Sequence, residues 1–140
     1  GRMSHAYLFT GSRGTGKMDG ARLGIFGGTA QENLSRYMVP GECGNRMGNR
    51  WLEVTDDNGF GLRFEAEGAP FESSVLPYSC YELENAMHVY ELPTPHYTWV
   101  RINAAQMGIG GDDSWGAPVQ SQFWLNSDED RTLKFTLKKK

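Results

Sequence analysis

Short runs of alternating apolar and polar residues mark the second half of the chain. Residues 61–67 read GLRFEAE and residues 132–138 read TLKFTLK, so every second residue is apolar in each run. Because successive side chains of a β-strand point to opposite faces, this period of two predicts strands buried on one face only. In the second run one set of side chains is expected to face the core: Leu133, Phe135 and Leu137.

The other predicted elements are also short and are separated by turn residues. Strands are predicted at 51–55, 61–67, 71–76, 96–103, 119–125 and 132–138. A DDNG turn joins the first two, and its Asn58-Gly59 pair suits a positive φ. One helical stretch is predicted near 79–88, where Ser79 can cap the helix and Glu82 can complete a capping box. This pattern predicts an all-β fold, an antiparallel β-sandwich with at most one short helix.

Composition and charge narrow the classes of partner. The 140 residues suffice for one domain, and 18 glycines suit a chain with many turns. Residues 1–17 hold three basic residues and no acidic one, whereas residues 18–140 hold 11 basic and 17 acidic residues. An acidic body is a poor match for nucleic-acid phosphates. Nucleic acid is therefore not expected as a partner. No apolar run of about 18 residues and no signal-peptide pattern is present, so a membrane is not expected as a partner either.

Cysteine and histidine usage gives no indication of a metal site. Two cysteines, Cys43 and Cys80, are too few for a disulfide framework and do not form a Cys-x-x-Cys pair, so reduced thiols are expected. The three histidines are scattered along the chain. Structural zinc is therefore not expected.

Residues 1–17 differ from the rest of the chain. AYLFT is compatible with a short strand, and the GSRGTGK that follows fits the phosphate-binding pattern G-x-x-x-x-G-K. The stretch is similar to the start of bacterial clamp-loader ATPases. However, Met18 stands where that loop needs a hydroxyl for Mg²⁺, and glycines interrupt the helix that should follow. We interpret residues 1–17 as an unrelated leader, appended or vector-derived, with nucleotide binding as the alternative.

The run MGIGGDDSWG at 107–116 is the candidate for chemistry. Three interpretations compete. The first is an ordered loop whose Asp and Ser side chains bond its own amides. The second is a calcium loop, for which two adjacent acids are few ligands. The third is a ligand platform, in which Trp115 offers an apolar face. The residues that would support that platform are Gly110, Gly111, Asp112, Asp113 and Ser114.

The same run carries a resemblance to a known family. With LPTPHYTWVRINAAQ before it and SQFWL after it, it resembles the C-terminal, small-chain domain of bacterial β-galactosidases of glycoside hydrolase family 2. GARLGIFGGT at 20–29 and RYMVPGECGNRMGNRWLEVTDDNGFGLRF further on are also similar, so the resemblance covers residues 18–140. The matching positions of the longer run are Tyr37, Pro40, Glu42, Gly44, Asn45, Arg50, Trp51, Leu52, Thr55 and Asp56. The sequence departs from the family at Gly41, Cys43, Met47 and Gly48.

The resemblance implies a fold, a parent enzyme and a role for the loop. The fold would be a galactose-mutarotase-like supersandwich that packs near the catalytic barrel of the same polypeptide. The parent would hydrolyse terminal β-galactosides with retention, and Trp115 would contact the galactoside, chiefly on its leaving-group side. The five supporting residues would hold the loop. Such enzymes often assemble, so an oligomer is one expectation, and a free-standing carbohydrate-binding module is the alternative function.

The resemblance also implies that this chain is not catalytic. Retaining glycosidases use two carboxyl groups, which in this family lie in the barrel. Asp112 and Asp113 are adjacent, and on an extended backbone their side chains would point apart, so neither is assigned catalysis. The Mg²⁺ and Na⁺ sites of the family lie in other domains, so no metal and no cofactor are expected in this chain.

The other tryptophans have structural interpretations. Trp51 opens a predicted strand and is expected in the core. Trp99 and Trp124 are opposite in parity to their apolar neighbours Val100 and Phe123. Each is therefore expected to face a second layer, the solvent or the rest of the enzyme.

Overall fold

Eight strands form two antiparallel sheets in the computed structural model, which describes residues 5–10, 24–107, 112, 113 and 115–140. The strands are β1 (His5–Thr10), β2 (Gly24–Thr29), β3 (Arg46–Asn49), β4 (Trp51–Thr55), β5 (Gly61–Ala66), β6 (Phe71–Leu76), β7 (Trp99–Asn103) and β8 (Phe135–Lys139). The large sheet has the order β2-β1-β4-β5-β8 and the small sheet the order β3-β6-β7. The predicted antiparallel all-β fold with one short helix is confirmed.

The β4–β5 hairpin forms where the turn residues predicted it. Gly59 has a φ of 83°, which lies in the region that glycine tolerates without strain. The Asp56 carboxylate accepts hydrogen bonds from the backbone amides of Asn58 at 2.8 Å and Phe60 at 3.0 Å. Side-chain capping of a turn by Asp is the reason that this residue favours turns. The hairpin therefore needs no tertiary contact to set its register.

The core lies between the two sheets. Leu52 and Phe64 contribute from the large sheet, and Phe71 and Val75 contribute from the small sheet, together with Ala30. Phe71 and Leu52 are completely buried. Each such side chain stabilises the fold by about 1.5–3 kcal/mol relative to an exposed position. Burial of this small set holds the two sheets together.

The large sheet extends beyond the small one. Leu62 is 43% exposed and Leu137 is 53% exposed, although both lie on the face that carries Phe64. Phe135 contacts Phe64 with ring centroids 5.8 Å apart, and Leu133 packs against the core. The predicted parity of the last strand is therefore right, but the prediction that all its apolar side chains are buried is wrong. These side chains stay exposed because the three-stranded sheet is too narrow to cover the whole face of the five-stranded sheet.

The only α-helix among the described residues, α1, spans Cys80–Asn85. The hydroxyl of Ser79 accepts a hydrogen bond from the Glu82 amide at 3.1 Å, and the Glu82 carboxylate accepts one from the Ser79 amide at 2.7 Å. This reciprocal pair is the predicted capping box. Leu83 is the buried side chain of the helix. No helix in the described part of the chain is long and apolar enough to cross a membrane.

Three predicted strands need correction. The strand predicted at 96–103 begins only at Trp99, after Pro95, and the one predicted at 132–138 spans Phe135–Lys139. The strand predicted at 119–125 is wrong, because a 3₁₀-helix at Ser121–Phe123 occupies that place. There the backbone closes on itself through hydrogen bonds from residues 123 and 124 to the carbonyls of residues 120 and 121. Those groups are then no longer free to pair with a neighbouring strand.

The outer face of the large sheet carries a chain of ion pairs. Arg63 donates to Glu53 at 2.6 Å and to Glu65 at 2.6 Å, and Lys140 also pairs with Glu53. The Arg63 guanidinium lies 4.4 Å from the centre of the Trp51 ring. Trp51 was expected in the core, but it is half-buried on this charged face. Its flat ring suits a neighbouring cation better than the apolar layer between the sheets.

The ionised form of Glu53 is favoured in the folded chain. Burial of the carboxyl group acts to raise its pKa, but hydrogen bonds and charge from Lys140 and Arg63 outweigh burial. The net pKa therefore lies below its ordinary value of 4.5. Because the folded state holds the charged form more tightly than the unfolded state, ionised Glu53 stabilises the fold.

The Glu53→Gln variant should be less stable than the parent chain by about 1.5–3 kcal/mol at pH 7, the range for hydrogen bonds to charged groups. The difference should shrink as the pH falls, because the contribution of Glu53 is complete above its ordinary pKa and is lost as the pH drops through the lowered folded value. Urea unfolding at pH 7 and pH 3 measures this. Glu65→Gln, on the same face but more exposed, should lose less. Equal differences at both pH values would contradict the assignment.

Candidate functional site

Trp115 is almost completely exposed, with 94% of its surface accessible. It belongs to the segment that connects β7 to the 3₁₀-helix at Ser121–Phe123. Within this segment the structure describes residues 104–107, 112, 113 and 115–120. The predicted supporting residues Gly110, Gly111 and Ser114 lie outside the described residues.

Asp113 fixes the backbone on both sides of the exposed ring. Its Oδ1 atom accepts hydrogen bonds from the backbone amide of Trp115 at 2.7 Å and from that of Ala117 at 3.3 Å. This is the Asx-turn geometry in which Asp bonds the chain two residues ahead of it. Gly116, between the two amides, has a φ of 111°, which side-chain-bearing residues rarely adopt.

Asp112 is used differently from its neighbour. Its Oδ1 atom accepts a hydrogen bond from the Gln120 side chain at 2.6 Å, and the Gln120 oxygen accepts one from Gln122 at 3.0 Å. The two adjacent carboxylates thus bond different parts of the loop. Each acts as an acceptor toward a neutral N–H group, an arrangement that braces a loop.

Trp124 and Trp115 differ in how their indole nitrogens are used. The Trp124 Nε1 donates to the carbonyl of Val119 at 2.6 Å, so its ring is held although it is 52% exposed. The Trp115 Nε1 makes no hydrogen bond to any residue in the described part of the chain. Trp115 therefore offers a flat apolar face and a donor that no described residue uses, the two features that a sugar ring can use together.

The start of the loop is fixed to a distant segment of the chain. Glu42 accepts a hydrogen bond from Gln106 at 2.6 Å and pairs with Arg101 of β7 at 2.5 Å. Arg101 also contacts Cys80 at the start of α1. Glu42 is one of the positions that carry the family resemblance, but the sequence alone indicates no role for it. The only signal that could have found one is pairing between residues 64 positions apart, which a single sequence does not carry.

The exposed ring does not lie in a closed pocket. A concavity of about 840 Å³ runs along residues 29–43 together with Val89 and Leu92, and Trp115 is not among its lining residues. Among the described residues, no group of three or more His, Cys, Asp or Glu side chains could hold a metal ion. Both cysteines are free. The loop thus presents an exposed aromatic face rather than an enclosed pocket.

The comparison with protein families identifies the chain. The sequence model described as beta galactosidase small chain matches residues 16–137, which include β2 to β7 and the whole of the Trp115 loop. The chain belongs to the beta-galactosidase small-chain family. The resemblance stated from the sequence is therefore confirmed.

Individual relatives place this small-chain domain inside larger proteins. It is 45% identical over 118 residues to a β-galactosidase of Halalkalibacterium halodurans, covering 84% of this chain and 12% of the relative. It is 46% identical over 120 residues to the β-galactosidase BgaC of Bifidobacterium adolescentis, covering 84% and 11%. It is 37% identical over 114 residues to a β-galactosidase small subunit of Latilactobacillus sakei, covering 74% and 36%.

The matched region occurs in two kinds of relative, long β-galactosidases and a small subunit. The chain spans roughly a tenth of the length of the two long relatives and about a third of the small subunit. The domain is thus related both to a region of a long β-galactosidase and to a region of a separate small subunit. In each case most of the relative lies outside the match.

The Asp113→Ala variant should loosen the loop without affecting the sandwich. Losing one hydrogen bond of about 0.5–1.5 kcal/mol should speed amide exchange at Trp115 and Ala117 by about 2- to 10-fold. Amide hydrogen exchange followed by NMR measures this. Asp112→Ala is the matched control, because it should release Gln120 and leave the Trp115 amide protected. Unchanged amide exchange rates at Trp115 and Ala117 in Asp113→Ala would show that Asp113 does not support the loop.

Proposed function

We propose that this chain is the small-chain part of a β-galactosidase that hydrolyses terminal β-galactosides with retention. In this proposal it supplies Trp115 as part of the sugar-binding wall, and the catalytic barrel lies outside the chain. The observation that carries it is the 94% exposed Trp115 in a sequence region that belongs to the small-chain family. Such a ring offers a flat apolar face and one N–H donor to a ligand, and this is the role that we assign to Trp115.

The chemistry of an indole suits the assigned contact. Its flat face can stack on the C–H bonds of a galactose ring, and its N–H group can donate to a sugar hydroxyl. The Asp113 bonds to the amides at 115 and 117 hold the backbone of the loop before any ligand binds. A preformed loop loses less conformational entropy on binding. We assign the same supporting role to Gly110, Gly111, Asp112 and Ser114.

In the proposal the chain contributes binding rather than bond cleavage. A retaining glycosidase needs a nucleophilic carboxylate and an acid/base carboxyl group about 5–5.5 Å apart. Asp112 and Asp113 are instead held by Gln120 and by the backbone amides of the loop. We therefore assign both catalytic carboxyl groups, and the Mg²⁺ and Na⁺ sites, to the parts of the parent enzyme beyond this chain.

A free-standing carbohydrate-binding module is the second candidate. It is favoured by the bracing of the loop through its own side chains, since such a loop can hold its shape without a partner domain. The two candidates differ in what the chain does alone. A module binds sugar by itself, whereas one wall of a divided site does not.

The isolated chain should neither hydrolyse a chromogenic β-galactoside nor bind galactose, glucose or lactose below millimolar concentration, because only one wall of the site is present. An amide NMR titration with each sugar measures binding. Saturating shifts confined to residues 108–116 would favour the module instead. Hydrolysis that is abolished by Trp115→Ala would contradict the non-catalytic assignment.

A chimera tests the role of Trp115 in a complete enzyme. Residues 18–137 of this chain would replace the matching region of the H. halodurans β-galactosidase. In an active chimera, Trp115→Ala should lower kcat/KM for a β-galactoside by about 5- to 30-fold, the equivalent of ~1–2 kcal/mol of lost contact. Trp124→Ala is the matched control, since its indole N–H is engaged within the loop. Equal losses in both variants would argue against a specific role for Trp115.

A further inference from the structure

The strand β1 has an unusual place relative to the family match. It lies inside the large sheet, antiparallel to β2 through six residue pairs and antiparallel to β4 through four. The sequence that belongs to the small-chain family begins at residue 16, after β1 has ended. A segment outside the family sequence thus fills an interior position of the family's sheet.

The sheet depends on having a strand at this position. The strand β2 lies within the family match, yet β1 is the only strand it pairs with among the described residues. Without β1, the backbone groups of Gly24–Thr29 that face β1 would lose their partners, and so would those of β4 on the same side. Unpaired backbone groups in a sheet are a strong site for the addition of another strand.

The strand position between β2 and β4 favours a segment in which apolar and polar residues alternate. On β4 the buried Leu52 and half-buried Val54 alternate with Glu53 and Thr55, which lie on the charged face. In the observed register the apolar residues Leu8 and Ala6 lie opposite Leu52 and Val54. A strand added here would be held by backbone hydrogen bonds and chosen by apolar residues at every second position.

We propose that the position between β2 and β4 is a strand-accepting site for another part of the β-galactosidase polypeptide. Its occupant in the long relatives is an extended segment with apolar residues opposite the positions of Leu52 and Val54. That segment comes from the part of the polypeptide outside the match. The match covers only 12% of the H. halodurans enzyme. In this chain residues 5–10 occupy the site instead. The proposal rests on the family and the sheet topology and does not involve Trp115.

The first experiment empties the site in the full chain. In Leu8→Pro the proline removes one backbone donor from the middle of β1 and cannot sit in an interior strand. Amide exchange should rise at least 10-fold in β2 and on the β1-facing side of β4, while the β5–β8 pairing stays protected. Retained protection at β2 and β4 would mean that the two strands close on each other, which would overturn the proposal.

The second experiment refills the site. The probe is a fluorescein-labelled peptide of residues 1–12 of this chain. It should bind Leu8→Pro at least 10-fold more tightly than the parent chain, whose own tethered β1 competes at high effective concentration. Binding should restore protection at β2 and β4. The matched control is the same peptide with proline at position 8, which should not bind. Failure of the labelled peptide to bind would overturn the proposal.

A second form of the protein covers the case in which Leu8→Pro does not fold. A specific protease site inserted between residues 13 and 14 allows β1 to be cut from the folded chain while it stays bound. Excess labelled peptide should then exchange into the cut protein, and a lack of exchange over days would overturn the proposal. Peptides tiling the unmatched part of the H. halodurans enzyme identify the occupant. One alternating segment should displace the probe, and displacement by none would refute this choice of occupant.

Discussion

Packing between the two sheets determines which side chains of this chain are buried. Phe71 and Val75 from β6 meet Leu52 and Phe64 from β4 and β5, and this contact is the main apolar core. The core is small because a three-stranded sheet covers only part of a five-stranded one. Whether an apolar side chain of the large sheet is buried therefore depends on its position in that sheet. Residues opposite the small sheet are buried, whereas Leu62 and Leu137 at the far end stay exposed.

The core also determines where the candidate loop begins. Residues 100 and 102 of β7 pack toward the core, so residues 99, 101 and 103 point to the outer face of the small sheet. Arg101 on that face pairs with Glu42, which also accepts a hydrogen bond from Gln106. The segment after β7 is thus tied down within a few residues of the strand end. These contacts fix the position at which the loop starts. Further along, the hydrogen bond from the Trp115 amide to Asp113 holds the backbone next to the exposed ring.

Local signals explain which parts of the fold could be predicted from the sequence. The β4–β5 hairpin and the capped helix α1 rest on contacts four or fewer residues apart, which a short sequence window contains. The prediction for segment 119–125 is wrong because its middle closes into a 3₁₀-helix at Ser121–Phe123 and does not pair with a neighbouring strand. Trp51 was misplaced because its partner, Arg63, lies on the next strand. The tie from Glu42 to the loop spans 64 residues and left no local trace.

The geometry of the loop is compatible with the proposed division of a sugar site between two parts of an enzyme. A complete sugar site encloses most of its ligand, whereas Trp115 stands 94% exposed on a loop whose Asp112, Asp113 and Trp124 side chains bond within the loop. Asp112, Asp113 and the indole of Trp124 are all engaged within the loop, so few of the described polar groups remain to orient a sugar. What remains is one stacking face and one N–H donor. In the proposed function, such a surface would add affinity and position to a reaction whose acid and nucleophile lie elsewhere, and the bracing of the loop would preserve that position.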